Sequence, residues 1–113
     1  MKSATSVKLR IWVDKGDAPF IGPGRIELLQ NIAKFGSISK AASEVNMSYR
    51  KAWQLINDMN AVSKKAIVEK RVGGSEGGGA VLTSKGTELV EKYLRLSKEL
   101  DLFLSVNESL MEF

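Results

Sequence analysis

A mainly α fold with a small β-sheet is predicted for this 113-residue chain, and three observations carry the prediction. The stretch Ser37–Ala61, SISKAASEVNMSYRKAWQLINDMNA, holds two apolar stripes at helical spacing with a break between them. Two short β-rich runs around a glycine-rich tip follow over 67–83. A long apolar stripe close to a heptad seam then starts near residue 84. Helix, tight turn, helix and then a hairpin make a winged helix-turn-helix, with a strand before it and a long helix after it.

Each element has its own local reason. Val7, Leu9, Ile11 and Val13 alternate with Lys8, Arg10 and Trp12, and that period of two predicts a half-buried strand over 6–13. Asp14–Gly24, DKGDAPFIGPG, carries three glycines and both prolines and predicts a loop pinned by Phe20 and Ile21. A helix follows over 25–35, with Ile26, Leu29, Ile32 and Ala33 inward, and Gly36 ends it. The helix-turn-helix spans 38–61. Ser37 caps its first helix, whose inner face is Ile38, Ala41, Ala42 and Val45. Asn46 and Met47 break the pattern, and Ser48 caps the second helix, which turns Ala52, Leu55, Ile56 and Met59 inward. The wing spans 67–83, with Ile67–Val72 and Ala80–Thr83 as strands around GGSEGGG.

Thr83 or Ser84 caps the last helix, expected over 84–105. Leu89, Tyr93, Leu96, Leu100 and Phe103 recur in steps of four and three, and Val90, Leu94, Leu102 and Leu104 broaden the stripe beyond the needs of one small domain. Its distal half is therefore expected to meet the same helix of a second subunit, giving a two-fold homodimer. All of this is read as a single domain, 1–113.

Composition excludes several function classes. With no cysteine and no histidine, disulfide frameworks, His-based triads and His- or Cys-ligated zinc are absent together. No acidic loop has the spacing of an oxygen-ligand site, so neither catalytic residues, nor a metal, nor a cofactor is expected, and the chain is read as a non-enzyme. No apolar run is long enough to cross a bilayer, and Met1–Ser6 is too short and polar for a signal peptide, which predicts a cytoplasmic protein. The net charge is +4. Between Lys34 and Arg71 there are eight basic residues (34, 40, 50, 51, 64, 65, 70, 71) against three acidic ones (44, 58, 69). From Lys85 onward there are four basic against six acidic residues. The positive field thus lies with the helix-turn-helix, as expected of a domain with one nucleic-acid face and one partner face.

The outward face of the second helix names the candidate site. With Ala52, Ile56 and Met59 inward, 3.6 residues per turn puts Arg50, Gln54 and Asn57 on the opposite side, with Tyr49 and Trp53 on the flank. Arg, Gln and Asn fit guanine and adenine edges in the major groove of double-stranded DNA. Ser48, Tyr49, Lys51, Lys64 and Lys65 are candidates for phosphate contact, and Arg71 with Gly74, Ser75 and Gly77 for the neighbouring groove. Trp53 is either a core-edge residue or a DNA contact. A protein-interaction module on the same fold is the alternative reading, because fold does not fix function.

Three motif groups then suggest a family: GSIS before the first helix of the pair, SYRKAW and INDMN along the second, and GG…GGGAVLT leading into TSKG. As an ordered set over Gly24–Glu91 they resemble the N-terminal winged-helix domain of the molybdate-responsive ModE transcription regulators, and more distantly LysR-type regulators. The resemblance implies a dimer that binds palindromic operator DNA, with family-type contacts on Ser48, Tyr49, Arg50, Trp53 and Gln54. ModE proteins also carry oxyanion-binding domains, which this sequence does not include. The expectation is a stand-alone DNA-binding domain, or a chain whose sensor is a separate protein.

Overall fold

Three hydroxyl side chains start three of the helices in the computed structural model, which describes residues 5–71 and 79–112. Ser37, Ser48 and Thr83 each accept a hydrogen bond from the backbone N–H three residues on, at 3.2, 3.1 and 3.0 Å. These caps satisfy donors that the helices themselves leave unpaired. The remaining helix begins at Pro23, whose missing N–H is no loss at that position.

In chain order the elements are β1 (Val13–Lys15), β2 (Ala18–Ile21), α1 (Pro23–Phe35), α2 (Ile38–Glu44), α3 (Tyr49–Ser63), β3 (Val68–Arg71), β4 (Gly79–Leu82) and α4 (Ser84–Asn107). A 3-10 turn over Glu108–Met111 follows. The strands form two separate antiparallel pairs, β1 with β2 and β3 with β4. The fold is a winged helix-turn-helix: α2 and α3 are the helix pair, and β3 and β4 are the wing. Between α2 and α3 the chain turns at Asn46, which takes a φ of 55°, while Met47 N–H donates to the Ala42 carbonyl at 2.9 Å.

One core joins the elements. It comprises Phe20 and Ile21 of β2, Ile26, Leu28, Leu29 and Ile32 of α1, the α2 and α3 stripes, Ile67, Val68 and Ala80 at the wing base, and Val90 and Tyr93 of α4. The wing is tied to the helix-turn-helix by its own backbone as well. Gly36 ends α1 in the left-handed region at φ 65°, and its carbonyl then accepts from Ala80 N–H at 3.0 Å. Ser37 forms an isolated β-bridge with Gly79. The end of α1 is thereby an extra edge for the wing.

The expected strand over 6–13 is corrected, as is the expected loop over 14–24. Residues 5–12 lie outside any regular element, and β1 begins only at Val13. The chain reverses at Gly16, with φ 60°, so the hairpin forms inside the stretch whose glycines and prolines had suggested a loop. Pro19 is tolerated because this two-stranded ribbon has only edges. With no sheet to lie on, Leu9 is 46% exposed instead of inward. Ala33 also faces solvent. Wing residues 72–78, including Gly74, Ser75 and Gly77, lie outside the described residues.

Gly86 sets the closest packing in the fold. A Cβ there would lie 2.2 Å from the Ile67 carbonyl oxygen, which is backbone and cannot swing away. Gly24→Ala, by contrast, meets nothing within 4 Å. We expect Gly86→Ala to cost about 1–3 kcal/mol in urea unfolding, and Gly24→Ala to change stability by no more than about 0.5 kcal/mol.

Candidate nucleic-acid interface

The exposed face of α3 follows from its buried one. Ala52, Ile56 and Met59 are wholly inside, at 0, 1 and 0% exposure, so Arg50, Gln54 and Asn57 must point outward. These three, with Tyr49, Trp53 and Asp58, line one shallow depression along the helix. The side chains of Arg50, Gln54 and Asn57 hold no hydrogen bond or ion pair with another described residue. They are presented to solvent without an internal role. Tyr49 is 51% exposed beside them, and Ser48 sits at the helix start with its oxygen engaged as the cap and its hydroxyl hydrogen left to donate.

Trp53 occupies both places that the sequence left open. Half-buried, it packs against the core, and it also lines the depression. The Lys70 ammonium of β3 lies over its ring. Nearby protein withdraws some water from that ammonium and lowers its pKa from the usual lysine value.

Other sequence-named residues lie apart from this depression. Lys51 is exposed on the first turn of α3 but does not line it. Lys64 ends α3 in the left-handed region at φ 66°, and Lys65 follows it, both exposed. At 1.5 Å per residue they stand about 20 Å along the helix axis from Arg50. Arg71 is exposed on β3 opposite Gly79. Among the described residues no cluster of three His, Cys, Asp or Glu side chains is arranged to hold a metal ion. No described helix is long and apolar enough to cross a membrane.

The α4 residues divide into two groups. Tyr93 is 8% exposed and its hydroxyl donates to the Ile11 carbonyl at 2.7 Å, while Leu89 packs against the core. Both were expected in a subunit interface, and both are instead committed to their own chain. The reason is geometric: the first half of α4 must cover the α1 and wing-base side chains. Burial also raises the Tyr93 pKa, opposed by a hydrogen bond with Ser97. Beyond Tyr93 the apolar residues turn outward, Leu96 at 42%, Leu102 at 67%, Phe103 at 63% and Val106 at 74% exposure. Leu100 is half-buried.

Asn60, Asp58 and Lys70 are site residues that sequence reasoning missed. Asn60 Oδ1 accepts from Ile67 N–H at 2.7 Å and Val68 N–H at 3.2 Å, and its Nδ2 donates to the Val68 carbonyl at 3.1 Å. One amide thus splices the end of α3 to the start of the wing. A signal for it existed: Asn60 continues the 52–56–59 stripe at i+4 from Ile56, and a polar side chain on a buried stripe needs partners.

Helix pair, exposed polar second helix and wing place the chain in the class of winged helix-turn-helix proteins. Known sequences narrow the class. Over 74 residues the chain is 49% identical to the DNA-binding transcriptional dual regulator ModE of Escherichia coli (strain K12), covering 66% of this chain and 28% of that protein. The Transcriptional regulator ModE of Haemophilus influenzae is 40% identical over 76 residues, 67% of this chain and 30% of the relative. The Molybdenum transport protein ModE of Azotobacter vinelandii is 36% identical over 97 residues, 86% of this chain and 36% of the relative. The chain is a homologue of the ModE regulators through this winged-helix segment, and it spans less than a third of the first of these relatives. No family profile matches it. Among solved structures, ArgP from Mycobacterium tuberculosis, a LysR-type regulator, superposes with a TM-score of 0.52 at 18% identity, covering 79% of this chain and 30% of that one, which shows the shared fold.

Asn60→Ala would leave two wing-base N–H groups without their partner. We expect it to lower stability by about 1–3 kcal/mol in chemical denaturation, with hydrogen exchange at Ile67 and Val68 rising before that of the α1 core.

Proposed function

We propose that this protein is a sequence-specific, DNA-binding transcription regulator that acts in the cytoplasm as a homodimer on a palindromic operator, and that it is not an enzyme. The observation that carries this reading is the exposed face formed by Arg50, Gln54 and Asn57 on the second helix of the helix-turn-helix, whose side chains make no hydrogen bond or ion pair among the described residues. These are the side chains with paired donors and acceptors for base edges. Ser48, Tyr49 and Lys51 are set to hold the phosphates beside them, and Arg71 with the tip residues Gly74, Ser75 and Gly77 would follow the flanking backbone. Lys64 and Lys65 would act only on DNA that passes the far end of α3. Trp53 would meet DNA by whatever edge the core and Lys70 leave open. The names of the relatives support DNA as partner.

Dimerisation draws its support from the exposed distal face of α4. Leu96, Leu102 and Phe103 are exposed and Leu100 is half-buried, and together they make an apolar surface on the distal half of α4. Pairing two such helices across a two-fold axis would set two copies of α3 for half-sites one helical turn apart.

Selection from randomised duplex DNA at two salt concentrations tests the reading. An enriched palindrome supports it; no binding at either salt would favour a protein-interaction module instead. On the enriched duplex, Arg50→Ala should lose about 1–3 kcal/mol of binding and lose less on unrelated sequences; equal loss on all of them would remove the base-reading role. Leu102→Glu combined with Phe103→Glu should convert the dimer to monomer in sedimentation velocity while far-ultraviolet circular dichroism keeps its helical signal, since both side chains already face solvent.

A further inference from the structure

We propose that Lys70 is a positioning residue for DNA recognition: its ammonium, seated on the Trp53 ring, locks the first wing strand onto α3 so that helix and wing meet one duplex in a fixed relation. This rests on the DNA-binding reading above. Strand parity puts Lys70 on the same face of β3 as Val68, at an exposed position. Val68, two residues earlier, is 3% exposed in the core, and side chains two apart share a face. Helix periodicity puts the receiving group in place, because Trp53 and Asn60 are seven residues apart and so share one side of α3.

Together they attach β3 to α3 at two points. Asn60 takes the backbone of Ile67 and Val68, and Trp53 takes the side chain of Lys70. β3 is also paired along its length with β4, and these two ties add a direct attachment to α3. Two attachments, roughly 7 Å apart along the strand, define its direction. That direction is held as far as Arg71, the last residue of the strand. Trp is the best aromatic partner for a cation, and the partial loss of water around the Lys70 ammonium agrees with its being held there. On this assignment Lys70, whose side chain is exposed, serves Trp53 rather than a phosphate, and the ring face it covers does not stack on a base.

The test uses the full chain in a Trp12→Phe background, which leaves Trp53 as the one tryptophan of the two. Lys70→Met should shift Trp53 emission in the absence of DNA, and Lys70→Arg should restore it. On the selected duplex, Lys70→Met should weaken binding about three- to tenfold, with the slope of log K against log salt unchanged. Trp53→Leu should abolish the effect of Lys70→Met. A slope reduced by about 0.9, the signature of one lost phosphate contact, would overturn the proposal. Unchanged emission in Lys70→Met would overturn it as well. Failure of the wild-type chain to bind DNA would instead remove the DNA reading, and the Trp53 emission would still report whether the lock exists.

Discussion

The rest of the structure depends on how the backbone from Ala66 to Val68 is held. Asn60 takes both N–H groups of Ile67 and Val68 and returns a donor to the Val68 carbonyl. From the other side Thr83 donates its hydroxyl to the Ala66 carbonyl at 2.6 Å and its N–H to the Ile67 carbonyl at 2.9 Å. Gly86 then lets α4 pass against the Ile67 carbonyl. Three residues of chain thus anchor the end of α3, the start of the wing and the start of α4. Backbone polar groups taken out of water must be paired, and here the pairing is also what orients the elements. The Ile67 and Val68 side chains, 1% and 3% exposed, add apolar burial to the same junction.

Local signals were legible in the sequence, and distant ones were not. Ser37 and Ser48 could be named as caps, and the last cap narrowed to Thr83 or Ser84, because a cap and its target lie three residues apart. The α2 and α3 stripes were legible for the same reason, and with them the outward Arg50, Gln54 and Asn57. The β1–β2 hairpin was hidden by its own turn residues: Gly16, Pro19 and Gly22 read as breakers, while the alternation ahead of them read as a strand. Nothing local tells an unpaired extended segment from a paired one. Lys70 shows the limit most clearly. Its parity in β3 could be read, but its partner lies across the junction on α3. Tyr93 and Leu89 fitted the same heptad steps as Leu96 and Phe103, and periodicity cannot say where along a helix its own core ends.

That end falls just past Tyr93. Up to it, α4 is a core element, closed by the Tyr93–Ile11 hydrogen bond. Beyond it, the helix continues with its apolar side in water, stiffened on the polar side by an exposed Arg95–Glu99 pair and an asparagine bonded back to its own turn. Such exposed pairs contribute little stability. The exposed Leu96, Leu102, Phe103 and Val106 make an apolar patch there, of the kind that the proposed homodimer would cover. It lies at the acidic end of the chain, so the electropositive α2–α3 region and the apolar stripe divide the molecule into two unlike faces.

The lack of internal partners for Arg50, Gln54 and Asn57 has an evolutionary side. Among the described residues, caps, core and wing junction are all built from other side chains. On the proposed reading, exchanging these three would alter what the surface reads while leaving the scaffold as it is. On that reading, descendants of one such gene could drift apart in target preference by single substitutions that spare the fold. The cost of innovation falls on lost recognition, not on lost folding.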